Sequence, residues 1–135
     1  MFKKIDQDTI QNINLFEQVT KAKVKNYFSN NDVLNFIVEH TEMGKAIGKN
    51  ASNIKRLTSL FKKKIRVIEF NKNPINFIKN LIYPLKPQEI NQNEQEIEIK
   101  ADTKTKALLI GRNQQNLKLY NDILDHYFKL KIIVR

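Results

Sequence analysis

Two short segments of the chain combine glycine, a basic residue and asparagine in the same order and spacing. The first reads Ile47-Gly48-Lys49-Asn50-Ala51-Ser52-Asn53-Ile54-Lys55, and the second reads Ile110-Gly111-Arg112-Asn113-Gln114-Gln115-Asn116-Leu117-Lys118. At an offset of 63 residues, five of the nine positions are identical and two more are conservative. Because the chain has only three glycines and one stands near the start of each segment, the match predicts an internal repeat.

The residue types of each segment suit the binding of a phosphate group. Glycine allows a tight turn and a close approach of a ligand's backbone. The helix predicted after it offers N–H groups and the positive end of a dipole. Lys49 and Arg112 stand at the loop tips, where their side chains can reach a phosphate. Asn50 and Asn113 tolerate unusual backbone angles and offer amide hydrogen bonds.

The flanking residues extend each loop into a groove. Ile47 and Ile54 predict an apolar floor on which bases can lie, and the repeat has Ile110 and Leu117 in their places. A phosphate rim beside an aliphatic floor is the arrangement with which KH domains hold about four single-stranded nucleotides. The predicted RNA-binding residues are Ile47, Gly48, Lys49, Asn50, Ala51, Asn53, Ile54, Lys55, Arg56, Gly111, Arg112, Asn113, Gln114, Asn116 and Lys118.

The elements that must position the first loop follow from hydrophobic periodicity and turn residues. They are a helix from Asp6 or Asp8 to about Val19, a strand within Ala22–Phe28, a turn at residues 29–32, an inward row of Leu34, Phe36 and Val38, a helical turn at Met43–Ile47, a helix from Ser52 and a strand at Ile65–Glu69. The apolar stripe of the helix after the loop is predicted to be Ile54, Leu57, Leu60 and Phe61.

The second half predicts the same order of elements. Asn73 and Pro74 are a typical N-cap and first-turn pair. The segments are a helix from there to Ile82 with Ile75, Phe77, Ile78 and Ile82 buried, a weak strand near Gln88–Ile90, a turn at residues 91–94, a strand at Glu96–Ala101, a helix at Thr103–Ile110, a helix at Gln115–Tyr127 and a strand at Leu130–Val134.

The repeat therefore predicts an α+β protein with two units of order α-β-β-α-α-β, residues 1–72 and 73–135. Each unit alone is small enough to be marginally stable. The link around Phe70–Asn73 is short and has no glycine. We therefore expect the two units to be closely coupled.

Composition narrows the function classes. The chain carries 24 Lys and Arg against 14 Asp and Glu, a formal net charge of +10, which suits a polyanionic partner. It has no cysteine, so thiolate metal sites and cysteine nucleophiles are excluded. His40 and His126 stand alone, no catalytic motif is present, and we expect no enzyme activity, metal or cofactor. Without an apolar leader after Met1–Asp6 or a membrane-length apolar run, we expect a cytoplasmic monomer without a membrane partner.

The chain resembles a tandem pair of type II KH domains, and specifically the small NusA-like transcription factors of archaea. The resemblance rests on residues 14–20 of the first helix, Met43-Gly44-Lys45-Ala46-Ile47-Gly48-Lys49-Asn50, residues 53–57 and 73–81, and the second loop with Asn116-Leu117-Lys118. It implies binding of single-stranded nascent RNA and association with RNA polymerase in elongation, termination or antitermination. Alternatives are a KH-fold translation or RNA-processing factor, and a polymerase- or ribosome-docking adaptor with weak RNA binding.

The fourth position of the family's GxxG loop departs from the pattern, because it holds Ala51 in the first loop and Gln114 in the second. If this position needs a positive φ angle, a side chain there costs on the order of 1 kcal/mol; if it is helical, Ala51 is harmless. Gln114 also adds bulk where a phosphate approaches. We therefore expect the first unit to carry more of the RNA affinity.

Overall fold

The computed structural model of the chain describes residues 6–135, so that residues 1–5, which belong to the N-terminal segment considered above, lie outside it. Twelve helices and strands are found among the described residues. They are α1 Gln7–Thr20, β1 Val24–Asn30, β2 Val33–Val38, α2 Met43–Ile47, α3 Ser52–Phe61, β3 Lys64–Glu69, α4 Pro74–Ile82, β4 Glu89–Asn93, β5 Glu96–Lys100, α5 Thr103–Ile110, α6 Gln115–Phe128 and β6 Lys131–Val134. None of these helices is long and apolar enough to cross a membrane.

The chain divides between Asn71 and Lys72 into two compact units, here called the first unit and the second unit. Each contains one three-stranded sheet, β1-β2-β3 in the first and β4-β5-β6 in the second. The order of elements is α-β-β-α-α-β in both, which confirms the predicted fold class.

Both sheets pair their strands in the same way. The first two strands form an antiparallel hairpin, and the central strand then pairs parallel to the third. The first hairpin turns at Asn31 and Asp32, which both have positive φ angles of 52° and 61°, as a tight two-residue hairpin turn requires. The parallel pair places Val33 opposite Lys64 in the first unit. The connection between these parallel strands contains α2, the glycine loop and α3.

The core of the first unit is built around two stacked aromatic rings. The centroids of the Phe16 and Phe36 rings lie 4.2 Å apart, so that α1 is packed directly on the central strand. Tyr27 adds a third ring, 5.0 Å from that of Phe36. Ala46 of α2 and Leu57 of α3 are fully buried in the same cluster, so the two helices that flank the glycine loop share one core.

The core of the second unit is likewise packed against its central strand, β5. Ile97 and Ile99 of β5 are buried, while Glu96 and Lys100 are exposed, as the alternating pattern predicts. Leu109 of α5 and two residues of α6, Ile123 and Leu124, are also buried. Phe77 of α4 packs edge-on against Tyr127 of α6, with ring centroids 6.0 Å apart.

Three details of the sequence prediction are wrong. Leu60 is 49% exposed, because at about 100° per residue it lies roughly 120° around α3 from Ile54. Ile75 is only half-buried, and Leu81 is the buried residue in its place. The turn predicted at residues 91–94 lies at Glu94 and Gln95, since β4 continues to Asn93 through its pairing with β5.

Candidate nucleic-acid interface

The two glycine loops have nearly the same backbone conformation. Each begins with a glycine that ends a helix, with φ and ψ of 76° and 168° at Gly48 and 74° and 173° at Gly111. A tight turn with two residues at positive φ angles follows, at Lys49–Ala51 in one unit and Arg112–Gln114 in the other. The sequence repeat is therefore also a structural repeat, and two copies of one loop are present.

Glycine is required at the first loop position for two reasons. Its φ angle is positive at both Gly48 and Gly111, a region that L side chains rarely adopt. A Cβ atom at Gly48 would also lie 2.9 Å from Cγ of Asn53, and one at Gly111 would lie 2.8 Å from Cγ of Asn116. The asparagine side chain thus occupies the space beneath each glycine.

These two asparagines brace the loop from inside. Nδ2 of Asn53 donates a hydrogen bond of 2.8 Å to the carbonyl oxygen of Lys45, and Nδ2 of Asn116 donates one of 3.0 Å to that of Leu108. Each bond satisfies a carbonyl near the end of the helix before the loop. The sequence predicts Asn53 and Asn116 as neighbours of a phosphate, and the structure also gives them this role in positioning the loop.

The structure decides between the two alternatives for the fourth loop position. Ala51 and Gln114 have φ angles of 59° and 61°, so neither residue is helical and each is strained. A side chain in the left-handed region costs about 1 kcal/mol or more. Asn50 and Asn113 also have positive φ angles, 54° and 55°, which asparagine tolerates better.

The helices that follow the loops begin without a side-chain cap. At α1, α4 and α5 a side-chain oxygen of Asp6, Asn73 or Asp102 accepts a hydrogen bond from the first turn. At α3 and α6 the capping residues Ala51 and Gln114 make no such bond. The positive ends of these two helix dipoles therefore lie at the loops without a carboxylate beside them, which suits the binding of an external anion.

The basic residues of the loops are free to meet such an anion. Lys49, Lys55, Arg56, Arg112 and Lys118 are all exposed. Within residues 6–135, none of them forms an ion pair with a carboxylate. No group of histidine and carboxylate side chains in this range is arranged to hold a metal ion.

One nearby lysine is already neutralised. Nζ of Lys45 lies 3.2 Å from a carboxylate oxygen of Glu42. That carboxylate also accepts a hydrogen bond of 2.9 Å from the backbone N–H of Lys23. This backbone bond, followed by the contact with Lys45, holds the pKa of Glu42 below its ordinary value. Lys45 therefore adds less positive potential than the loop cations.

The predicted apolar floor is partly open to solvent. Ile47 and Ile54 are half-buried, and so are Ile110 and Leu117 in the second unit. The predicted site residues did not include Leu108, whose side chain is 49% exposed. Its carbonyl is braced by Asn116 just as that of Lys45 is braced by Asn53, so the two residues are structural equivalents. The repeat could have identified Leu108, because the offset of 63 residues aligns it with Lys45 of the first unit.

The predicted site residues fall into two sets, one in each unit. Residues 47–56 surround the first loop and residues 111–118 surround the second. Each set combines an exposed cation at the loop tip, an uncapped helix start and a half-buried aliphatic floor. This arrangement can bind a sugar-phosphate backbone on one side and bases on the other.

Comparison with known proteins agrees with this geometry. A family model described as "KH domain" matches residues 10–83, more than half of the chain. A Methanococcus vannielii protein named "Probable transcription termination protein NusA" is 30% identical over 124 residues, covering 89% of this chain and 72% of that protein. A Thermoplasma acidophilum protein of the same name is 25% identical, covering 96% and 92%. The crystal structure of APE1850 is 27% identical with a TM-score of 0.70, covering 97% of this chain and all of that one.

Proposed function

We propose, from the premise that this chain belongs to the KH domain family and is a NusA-like, RNA-binding KH protein, that it grips single-stranded nascent RNA through its two glycine loops. We further propose that it associates with RNA polymerase and acts in transcription termination or antitermination. The names of the relatives, which call them transcription termination proteins, support the second part.

The observation that carries the RNA-binding site is the repeated loop. Two loops with the same backbone angles each precede a helix without a side-chain cap. A phosphate at this position would meet the helix dipole and the side chain of Lys49 or Arg112. The adjacent bases would lie on the aliphatic floor, at Ile47 and Ile54 in the first unit. No bond is broken in this process, so we expect no turnover of RNA.

A charge reversal at the loop tip tests the site. Lys49→Asp combined with Asn50→Asp is expected to weaken binding of a single-stranded RNA at least tenfold, because it places two carboxylates where the phosphate should lie. Binding is measured by fluorescence anisotropy with labelled RNA, and circular dichroism checks the fold. Lys72→Asp, which reverses an exposed lysine outside both loops, is the control. Unchanged affinity in the double variant would contradict the proposed site.

The salt dependence of binding gives an independent measure. If three or four phosphates are contacted, log K falls with log salt concentration at a slope of roughly −2 to −3. The loop variant should show a shallower slope, since fewer counterions are released. An equal slope for both proteins would mean that the phosphate contacts lie elsewhere.

A second candidate function is that of an adaptor that docks on RNA polymerase and binds RNA weakly. It is favoured by the side chains of Ala51 and Gln114, which stand at positive φ angles where the family has glycine. In that case polymerase should co-purify with the protein after ribonuclease treatment and also with the Lys49→Asp, Asn50→Asp variant. If co-purification needs RNA and the intact loops, the adaptor function is excluded.

A further inference from the structure

One aromatic side chain lies on the surface of the second unit, away from both glycine loops in the sequence. Tyr83, which follows the last residue of α4, is 67% exposed. It is the most exposed of the large apolar side chains in residues 6–135. Most of the other aromatic rings described above are packed in the cores, so Tyr83 differs from them in presenting most of its surface to solvent.

The backbone around Tyr83 is held in place on both sides. The N–H of Tyr83 donates a hydrogen bond of 3.1 Å to the carbonyl oxygen of Lys79, and the N–H of Leu85 donates one of 2.9 Å to that of Ile82. These bonds order the backbone of the turn that follows α4. Because this backbone is already ordered, it loses little conformational freedom when a ligand binds beside it.

Tyr83 lies in a shallow pocket with two lysines. The pocket lies between the end of α4 and the start of β4, and its lining includes Lys79, Tyr83, Lys86 and Glu89. Lys79 and Lys86 are exposed, and neither forms an ion pair within the described residues. The one carboxylate of the pocket, that of Glu89, lies 3.7 Å from Nζ of Lys100, which offsets part of its negative charge.

The pocket and the second glycine loop lie at opposite edges of one sheet. Strand order places β4 and β6 at the two edges. Helix α4 contacts β4, whereas α5, which leads into the loop, contacts β6. An RNA that fills the loop groove with about four nucleotides must therefore be longer to reach Tyr83.

We propose that this Tyr83 pocket is an additional contact site for single-stranded RNA, in which a base stacks on the Tyr83 ring and neighbouring phosphates lie against Lys79 and Lys86. The inference rests on the proposed RNA-binding function and extends it by a second site. Stacking on an aromatic ring tolerates any base, so the pocket adds affinity without sequence preference. The first unit has no equivalent, since α1 ends at the buried Thr20, and the pocket therefore strengthens the unit whose loop carries Gln114.

The length of the RNA separates this site from the loops. Tyr83→Ala is expected to weaken binding of a single-stranded dodecanucleotide by about tenfold, within the range that loss of base stacking gives, and to leave binding of a tetranucleotide unchanged. Tyr83→Phe keeps the ring and should bind both as the natural protein does. Ile10→Ala removes another exposed apolar side chain, outside the pocket, and is the matched control. The Lys49→Asp, Asn50→Asp variant should bind both the tetranucleotide and the dodecanucleotide more weakly, so a failure of the loop hypothesis is recognised separately.

Fluorescence gives a direct reading of stacking. The chain has no tryptophan, so Tyr83→Trp introduces a single indole into the pocket. Its emission should be quenched in a saturable way by the dodecanucleotide, and charge reversal at Lys79 and Lys86 should raise the RNA concentration needed. The proposal would be overturned if Tyr83→Ala bound the dodecanucleotide as tightly as the natural protein does. It would also be overturned if the emission of the introduced indole changed on adding a proline-rich peptide, as a test of peptide binding, and did not change on adding RNA. Because Tyr83→Trp and Tyr83→Phe both keep a ring, the test survives if Tyr83→Ala fails to fold.

Discussion

Gly44 and Gly48 lie four residues apart at the same short helix, but a methyl group has opposite consequences at the two positions. Gly44 is inside α2, and a Cβ atom there meets nothing within 4 Å. Gly48 has a φ angle of 76°, and its Cβ would lie 2.9 Å from Asn53. We expect Gly44→Ala to raise the free energy of unfolding by up to about 1 kcal/mol and Gly48→Ala to lower it by about 2 kcal/mol or more. Denaturant unfolding of both variants measures the difference, and equal effects would contradict the described loop.

Ala51 offers a stabilising substitution. At a φ angle of 59° the alanine is strained by about 1–2 kcal/mol. Glycine would remove this strain but would give the unfolded chain more conformational freedom, which lowers stability by about 0.5–1 kcal/mol. Ala51→Gly should therefore raise the free energy of unfolding by roughly 0.5–1 kcal/mol. Ser52→Gly is the control, since Ser52 has ordinary helical angles and the change should destabilise the protein. A loss of stability in Ala51→Gly would show that the fourth position is helical in solution.

For single residues, the sequence predicts the functional groups of the site better than the backbone angles at which they are held. The cations, the amides and the two essential glycines follow from residue type and spacing, and Asn50 and Asn113 adopt the unusual angles that asparagine tolerates. The sequence does not determine the angle of Ala51, because alanine itself has no preference for the left-handed region. That angle is set by the loop around it, including the Asn53 to Lys45 hydrogen bond, which no local pattern reports.

Two helix starts in the second unit use different caps for the same purpose. The carboxylate of Asp102 accepts a hydrogen bond of 2.7 Å from the N–H of Thr105 at α5, and the neutral amide of Asn73 accepts one of 3.1 Å from that of Asn76 at α4. The bond from Thr105 holds the pKa of Asp102 below its ordinary value of 3.8. Its stabilisation is therefore complete above that value and is lost as the pH falls through the lower pKa of the folded state.

Cap variants should show this difference as a pH dependence. Asp102→Ala should lower the Tm at about pH 6, and the gap to the natural protein should narrow as the pH falls towards about 2. Asn73→Ala should cost about 1 kcal/mol at both pH values, since an amide does not titrate in this range. Thermal melts followed by circular dichroism measure both series. A gap for Asp102→Ala that does not change with pH would exclude the charged cap.

Helices α3 and α6, which follow the two loops, differ in charge although the loops have nearly the same backbone conformation. At the repeat offset, Ser59 and Lys62 of the first unit correspond to Asp122 and Asp125 of α6, which are both exposed. These carboxylates would repel a phosphate chain that leaves the second loop along α6. In a protein whose first loop is disabled by Lys49→Asp and Asn50→Asp, we expect Asp122→Asn with Asp125→Asn to raise RNA affinity on the order of threefold at low salt, with the gain lost at high salt.

Acidic residues outside α6 provide the control for this prediction. Glu94→Gln with Glu96→Gln removes the same charge from exposed positions on the sheet of the second unit and should raise affinity less. Fluorescence anisotropy at two salt concentrations compares the pairs. Equal gains would mean that net charge, and not its position on the helix, controls binding.

Most elements could be predicted because caps and apolar spacing are local signals. Asp6, Asn73 and Pro74 all mark helix starts where the sequence predicts them. The end of β4 was missed because Asn91 and Asn93 favour turns in isolation, whereas in the fold they pair with Glu98 and Glu96 across a hairpin, and residue type alone does not report this pairing. Burial errors such as that at Leu60 have the same origin, since they depend on what packs against the helix.

For the whole molecule we propose that the two units unfold together, as the short link without glycine suggests. Leu57 is fully buried in the first unit, and Leu57→Ala should cost about 2–5 kcal/mol there. If the units are coupled, hydrogen exchange of β5 amides in the second unit should accelerate as well. Gln92→Ala, an exposed change in the second unit, is the control. Unchanged exchange of β5 in Leu57→Ala would show that the units open independently.

The place of each glycine loop between two parallel strands has a consequence for synthesis on the ribosome. The loop is held on its sheet by a crossover that closes only when β3 pairs with β2, or β6 with β5. Such non-local pairing cannot form before the later strand has been translated. The first glycine loop can therefore fold once β3 has emerged from the ribosome, whereas the second must wait for β6, so that the two proposed RNA-binding loops form one after the other.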